Sequence, residues 1–66
     1  MKNRITELRK QQRMTQQTLA QRLGVSRQTV ISLENGKYNP SLQLAFNIAK
    51  EFGLSIEEVF IFEQTK

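Results

Sequence analysis

The sequence contains no cysteine and no histidine. The first absence excludes a disulfide staple and a thiolate metal site. The second removes the commonest general base and the commonest metal ligand. There is also no Gly-rich phosphate loop and no clustered carboxylate pair, so the residues give an enzyme no support and point to no metal or cofactor. No apolar run approaches the roughly 20 residues of a membrane span. The charged opening Met1-Lys2-Asn3-Arg4 leads into no hydrophobic signal core, so the cytoplasm is the expected location. Low-complexity segments, repeats and linkers are missing as well. The 66 residues suit one small domain spanning 1–66. Such a domain buries too little surface for a wide stability margin and often gains from oligomerising.

Acids are scarce in the first part of the chain. Residues 1–40 carry Lys2, Arg4, Arg9, Lys10, Arg13, Arg22, Arg27 and Lys37 against Glu7 and Glu34, a net +6. Residues 41–66 carry Lys50 and Lys66 against Glu51, Glu57, Glu58 and Glu63, a net −2. A basic front and a mildly acidic back suggest that the front meets a polyanion. Charge alone does not separate nucleic acid from a solvated basic surface.

The pattern predicts five short helices, over about 4–12, 16–23, 27–35, 42–52 and 56–60. Gly24, Gly36 and Gly53 each follow an apolar helical pattern and act as stop signals. Asn3, Thr15, Ser26, Ser41 and Ser55 are candidate N-caps, and Ser55 with Glu58 has capping-box spacing. Expected inward residues are Ile5 and Leu8, then Leu19, Ala20 and Leu23, then Val30 and Leu33. The fourth helix should bury Leu42, Ala45, Ile48, Ala49 and Phe52, and the fifth Ile56, Val59 and Phe60. The β-prone tail Phe60-Ile61-Phe62-Glu63-Gln64 is placed to pair with the N-terminal residues.

The most specific stretch is QQTLAQRLGVSRQTVISLENGK, residues 16–37. Two short helices flank a tight turn at Gly24-Val25-Ser26. Ala20 is small where they should cross, and Leu19, Leu23, Val25, Val30 and Leu33 form a shared apolar seam. Together these specify an angled helix pair. Around the second of these helices, Val30 and Leu33 fall on one side. Arg27, Gln28, Ile31, Ser32 and Asn35 fall on the other, where an outward Ile31 suits contact with thymine methyls.

On these residues the chain resembles the lambda repressor and Cro (XRE-type) family, and more closely its small bacterial or phage five-helix regulators. The resemblance spans Ile5 to about Phe62. It implies an all-α, five-helix DNA-binding domain, with a short terminal antiparallel β pairing and a helix-turn-helix at about 16–35. It implies a cytoplasmic, sequence-specific regulator of the repressor kind, with the helix from Arg27 in the major groove of double-stranded DNA. By resemblance, Arg27, Gln28, Ile31 and Ser32 are candidate base contacts, with Gln28 reading adenine and Arg27 reaching either guanine or a phosphate. Thr15, Gln16, Asn35, Lys37 and Tyr38 are candidate phosphate contacts. Arg9 matches a family position that pairs with Glu34, and is expected to present its guanidinium to the backbone too. Where the family commonly has Gly at the end of the first helix, this chain has Arg13. A left-handed Arg13 is one explanation, and a locally different turn is the other.

One motif makes too few base contacts for a unique genomic site, so a homodimer on a palindrome is expected. Leu54, Ile56, Val59, Ile61 and Phe62 exceed what so small a core needs and are the candidate interface. With no evident small-molecule ligand, regulation would follow concentration, a partner or competition for DNA. The rival reading is an antitoxin-like protein-interaction module of the same fold. Such modules usually carry an extra partner-binding segment, and this chain ends within a few residues of the fold. An RNA partner is disfavoured by the lack of an aromatic stacking platform in the basic half.

Overall fold

The computed structural model describes residues 2–61. It has the five expected helices: α1 (Ile5–Gln11), α2 (Gln16–Leu23), α3 (Arg27–Glu34), α4 (Leu42–Glu51) and α5 (Ile56–Val59). Three begin on a side-chain cap. The hydroxyls of Thr15, Ser26 and Ser41 accept from the N–H groups of Thr18, Thr29 and Leu44. At α5 the Glu58 carboxylate reaches back to the Ser55 N–H at 2.8 Å and to its hydroxyl at 3.1 Å. The first cap differs from expectation. Arg4, not Asn3, stands at the N-cap position, without a side-chain cap. Asn3 acts from one residue further out: its Oδ1 accepts from Ile5 N–H at 3.0 Å, and its Nδ2 donates to the Leu33 carbonyl at 2.8 Å.

The first four helices end in one and the same way. In each, an N–H closes back over five residues: Met14 to Arg9, Val25 to Ala20, Lys37 to Ser32 and Leu54 to Ala49, at 2.9–3.1 Å. A second bond lies inside it, for example Gly24 N–H to the Gln21 carbonyl at 3.3 Å. This double closure requires a left-handed residue in the middle. Glycine fills that place in three helices; in α1 it is Arg13, at φ 57°. The closure also explains a core residue that helical spacing does not show. Met14 lies outside any helix, yet the closing turn folds it inward until it is 9% exposed.

The core joins Ile5 and Leu8 of α1, Leu19 and Ala20 of α2, Val30 and Leu33 of α3, and Ala45, Ile48 and Ala49 of α4. Met14, Phe52, Val59 and Phe60 complete it. α2 packs on α3 and α4, α4 packs on α5, and α1 packs on α3. Leu42 departs from expectation at 79% exposed. It stands in the first turn of α4, four residues before the exposed Phe46, so the pair forms a flank of the stripe and not its centre. Leu44 packs against the core from the other flank.

The expected terminal pairing is present as a single antiparallel bridge between Asn3 and Phe60. Arg4 N–H donates to the Val59 carbonyl and Ile61 N–H to the Lys2 carbonyl, both at 2.8 Å. Side chains alternate across it: Phe60 is buried at 2% and Ile61 is 47% exposed. Among the described residues, no helix is long and apolar enough to cross a membrane.

Arg13 carries a backbone penalty that glycine would not. Arg13→Gly is therefore expected to leave stability unchanged or raise it by up to about 1 kcal/mol, the strain relief outweighing the added freedom of the unfolded chain. A thermal melt of the two proteins checks this, and a clear drop in Tm for the variant would contradict it.

Candidate nucleic-acid interface

α2 and α3 meet across the Gly24 turn, with Ala20 fully buried at the crossing. The small side chain lets the helix backbones approach, and the buried Val30 and Leu33 fix which face of α3 turns outward. That outward face starts with Arg27 and Gln28, both exposed. Ile31 and Ser32 follow and are half-buried, so Ile31 shows only part of its apolar surface. Asn35, Lys37 and Tyr38 lie past the helix end and are exposed. Among the described residues, the side chains of Arg27, Gln28 and Lys37 have no hydrogen-bond or ionic partner within the chain.

Behind this open face lies a closed one. Arg9 Nε donates to Glu34 Oε2 at 2.6 Å and Nη2 to Oε1 at 3.4 Å, while Nη1 donates to the Met14 carbonyl at 2.8 Å. Gln16 Nε2 adds a bond to Glu34 Oε1 at 3.0 Å. The side chains are nearly enclosed, at 11% exposure for Arg9 and 6% for Glu34. One carboxylate therefore ties the end of α3 to α1 and to the first residue of α2. Burial alone pushes the Glu34 carboxyl up. The hydrogen bonds from Arg9 and Gln16 and the charge of Arg9 outweigh it and hold the group below the ordinary carboxylate range.

These positions revise several expectations. The Arg9–Glu34 pairing is present, but Arg9 braces the fold. Its guanidinium is spent on Glu34 and Met14, with little surface left for a phosphate. The Thr15 hydroxyl is committed to Thr18, donating to its Oγ1 at 2.9 Å and accepting from its N–H at 3.0 Å. Gln16 is half-buried and turned to Glu34, with its carboxamide only partly used. Of the candidate pairing residues, Val59 is 0% exposed and has no surface to offer a second copy. Leu54 and Ile56 are partly buried against the core, Ile61 is exposed, and Phe62 lies outside the described residues. Two outward apolar residues were not anticipated, Leu42 and Phe46. A third residue, Arg13, lines an open cleft with Arg27, Gln16 and Gln17. Its sequence signal was a basic residue two positions before an N-cap.

The helix-turn-helix family model matches residues 5–59. An uncharacterized HTH-type transcriptional regulator of Methanocaldococcus jannaschii is 57% identical over 63 residues, covering 96% of each chain. A similarly described regulator, YgzD of Bacillus subtilis, is 45% identical over 64 residues, covering 97% of each. Among solved structures, the restriction-modification controller protein C.AhdI of Aeromonas hydrophila superposes with a TM-score of 0.76. It is 33% identical and the match covers 83% of both chains.

Because the brace is enclosed, removing one partner strands the other. Arg9→Ala and Glu34→Ala are each expected to cost about 1–3 kcal/mol, a large part of what a chain this small has. Chemical denaturation of the single and double variants checks it; additive losses would dissolve the proposed coupling. Acid should act in the same direction. The folded carboxyl titrates lower than the unfolded one, so its stabilisation is full above the unfolded value. It is lost as pH falls through the folded value. Glu34→Gln should thus reduce the slope of the acid-side stability loss.

Proposed function

The chain belongs to the helix-turn-helix family, and we propose that it is a sequence-specific regulator of transcription that binds double-stranded DNA. In this reading α3 lies in the major groove, and the protein acts in the cytoplasm as a repressor on a palindromic operator. One observation carries it: α3 buries Val30 and Leu33 and leaves Arg27 and Gln28 exposed and without partners within the chain. Polar groups on a rigid helix, bonded to nothing else, are free to bond base edges. The names of the similar proteins, HTH-type transcriptional regulators and a controller protein, support the same reading.

Roles follow from position. Gln28 reads adenine through its paired donor and acceptor. Ser32 and the exposed part of Ile31 supply further base contacts, Ile31 to a thymine methyl. Asn35, Lys37 and Tyr38 hold the backbone beyond the helix, and Gln16 reaches a phosphate beside the start of α2. Two copies pair through the acidic back of the molecule, leaving the basic front for DNA. Leu42, Phe46 and Ile61, with the partly buried Leu54 and Ile56, are the apolar surface available for that pairing. Two recognition helices about 34 Å apart then meet successive major grooves.

Selection of bound sequences from random duplex DNA tests the reading, with a two-fold symmetric consensus expected. Gln28→Ala should weaken binding to that consensus by about 1–3 kcal/mol and relax the preference at one base pair. Lys37→Ala should instead weaken binding to all duplexes alike and reduce the salt slope by about 0.9. An unchanged consensus for the first variant, or a sequence-selective loss for the second, would reassign the residue. Sedimentation equilibrium at micromolar protein should show a dimer; a clean monomer that fills half-sites independently would rule the pairing out.

A further inference from the structure

Three basic side chains of the front are already matched to acids: Arg4 to Glu7, Arg9 to Glu34 and Arg22 to Glu51. Arg13 and Arg27 are not. Among the described residues, neither side chain has a hydrogen-bond or ionic partner. Both line the same open cleft, together with Met14, Thr15, Gln16, Gln17 and a third arginine, Arg9, whose charge is taken up by Glu34. Glu34, the acid bonded to Gln16, is already neutralised by Arg9. Of its three arginines the cleft therefore leaves two, Arg13 and Arg27, with no carboxylate to relieve them. An oxyanion relieves them well, since each guanidinium offers paired N–H donors to anionic oxygens. The first turn of α2 holds no acid, so the helix end adds partial charge of the same favourable sign.

The backbone points the same way. Three of the four left-handed closing residues are glycine, and the fourth is Arg13. An arginine in that conformation is disfavoured, and its side chain returns no bond to the fold. What it supplies is a cation on the cleft that Arg27 also lines, Arg27 being the residue before Gln28 on the outward face of α3.

We propose that Arg13 and Arg27 together hold one backbone phosphate of the bound duplex. The inference rests on the DNA-binding reading and deepens it. It adds Arg13 to the interface, and it assigns Arg27 to the backbone and not to a base edge. The sequence preference then rests on Gln28, Ile31 and Ser32, while the two arginines fix the angle at which α3 enters the groove.

The test uses the full chain and its selected duplex, remade as a series in which one phosphate at a time is replaced by a neutral methylphosphonate. At one position the neutral linkage should weaken the unmodified protein several-fold. Arg13→Gly and Arg27→Gln should each be markedly less sensitive at that same position. The double variant should lose about 0.9 from the slope of log affinity against log salt, as one phosphate requires, and keep its consensus. A loss of about 1.8, or sensitivities of the two variants at different positions, would overturn the shared contact. Arg13→Gly with the unmodified profile throughout would remove Arg13 from the interface. The DNA reading survives that result if Gln28→Ala still loses its base preference. If the unmodified chain selects no duplex, the DNA reading itself fails and this proposal with it. Melting curves accompany each variant; Arg13→Gly is expected to fold at least as well as the parent, so its losses report on binding.

Discussion

The arrangement of α1, α2 and α3 depends on where one negative charge is put. Glu34 ends α3, where the helix dipole disfavours an anion, and it is nearly closed off from water. A carboxylate in such a place is tolerable only when its lone pairs are all met by good donors. Arg9 from α1 and Gln16 from α2 meet them. The cost of burying the charge is thereby turned into a geometric requirement. If α1 shifts, Arg9 leaves, and the charge is stranded; if α2 tilts, Gln16 leaves. The apolar seam of Leu19, Val30 and Leu33 tolerates sliding better than this does, because dispersion contacts have little direction. The hydrogen-bonded charge pair supplies the direction.

The helix ends do similar work by backbone means. Four double closures set four abrupt changes of chain direction, and each turns the residue after the left-handed position back toward the domain. Met14, Val25 and Leu54 occupy that place and pack on the core. At the end of α3 the occupant is Lys37, exposed and with its side chain unbonded. The same turn that elsewhere secures an apolar residue here ends on an exposed cation just past α3.

Much of this was legible in the sequence, and the reasons are particular. The helix limits were written in local chemistry: Thr15, Ser26 and Ser41 begin helices because their side chains meet backbone N–H groups, Ser55 because Glu58 reaches back to its N–H, and Gly24, Gly36 and Gly53 end them. The Arg9–Glu34 pair came only from resemblance, since nothing in a linear pattern brings together residues 25 apart. For the same reason its burial was invisible, and Arg9 read as a surface cation. Helical spacing placed Leu42 inward with Ala45 and Ala49, yet Leu42 lies with Phe46 on the flank of that stripe and is exposed there. It missed Met14 for the converse reason, since Met14 is carried inward by a turn. Val59 looked surplus because so small a core seemed to need little. In fact Val59 and Phe60 are buried core residues, with Val59's carbonyl bonded to the Arg4 N–H.

That closing contact also orders events in time. The bridge between Asn3 and Phe60 joins residues from nearly opposite ends of the described chain, so forming it confines almost everything between them. Contacts of α2 with α3 and of α4 with α5 confine far shorter loops and gain their burial early. The bridge is thus expected to form after those contacts, and the amide protons of Arg4 and Ile61 are the ones an opening of it releases to solvent. Such an opening does not stop at the edge. It frees Asn3, whose carboxamide caps the Leu33 carbonyl beside Glu34, so an opening of the bridge reaches the last turn of α3.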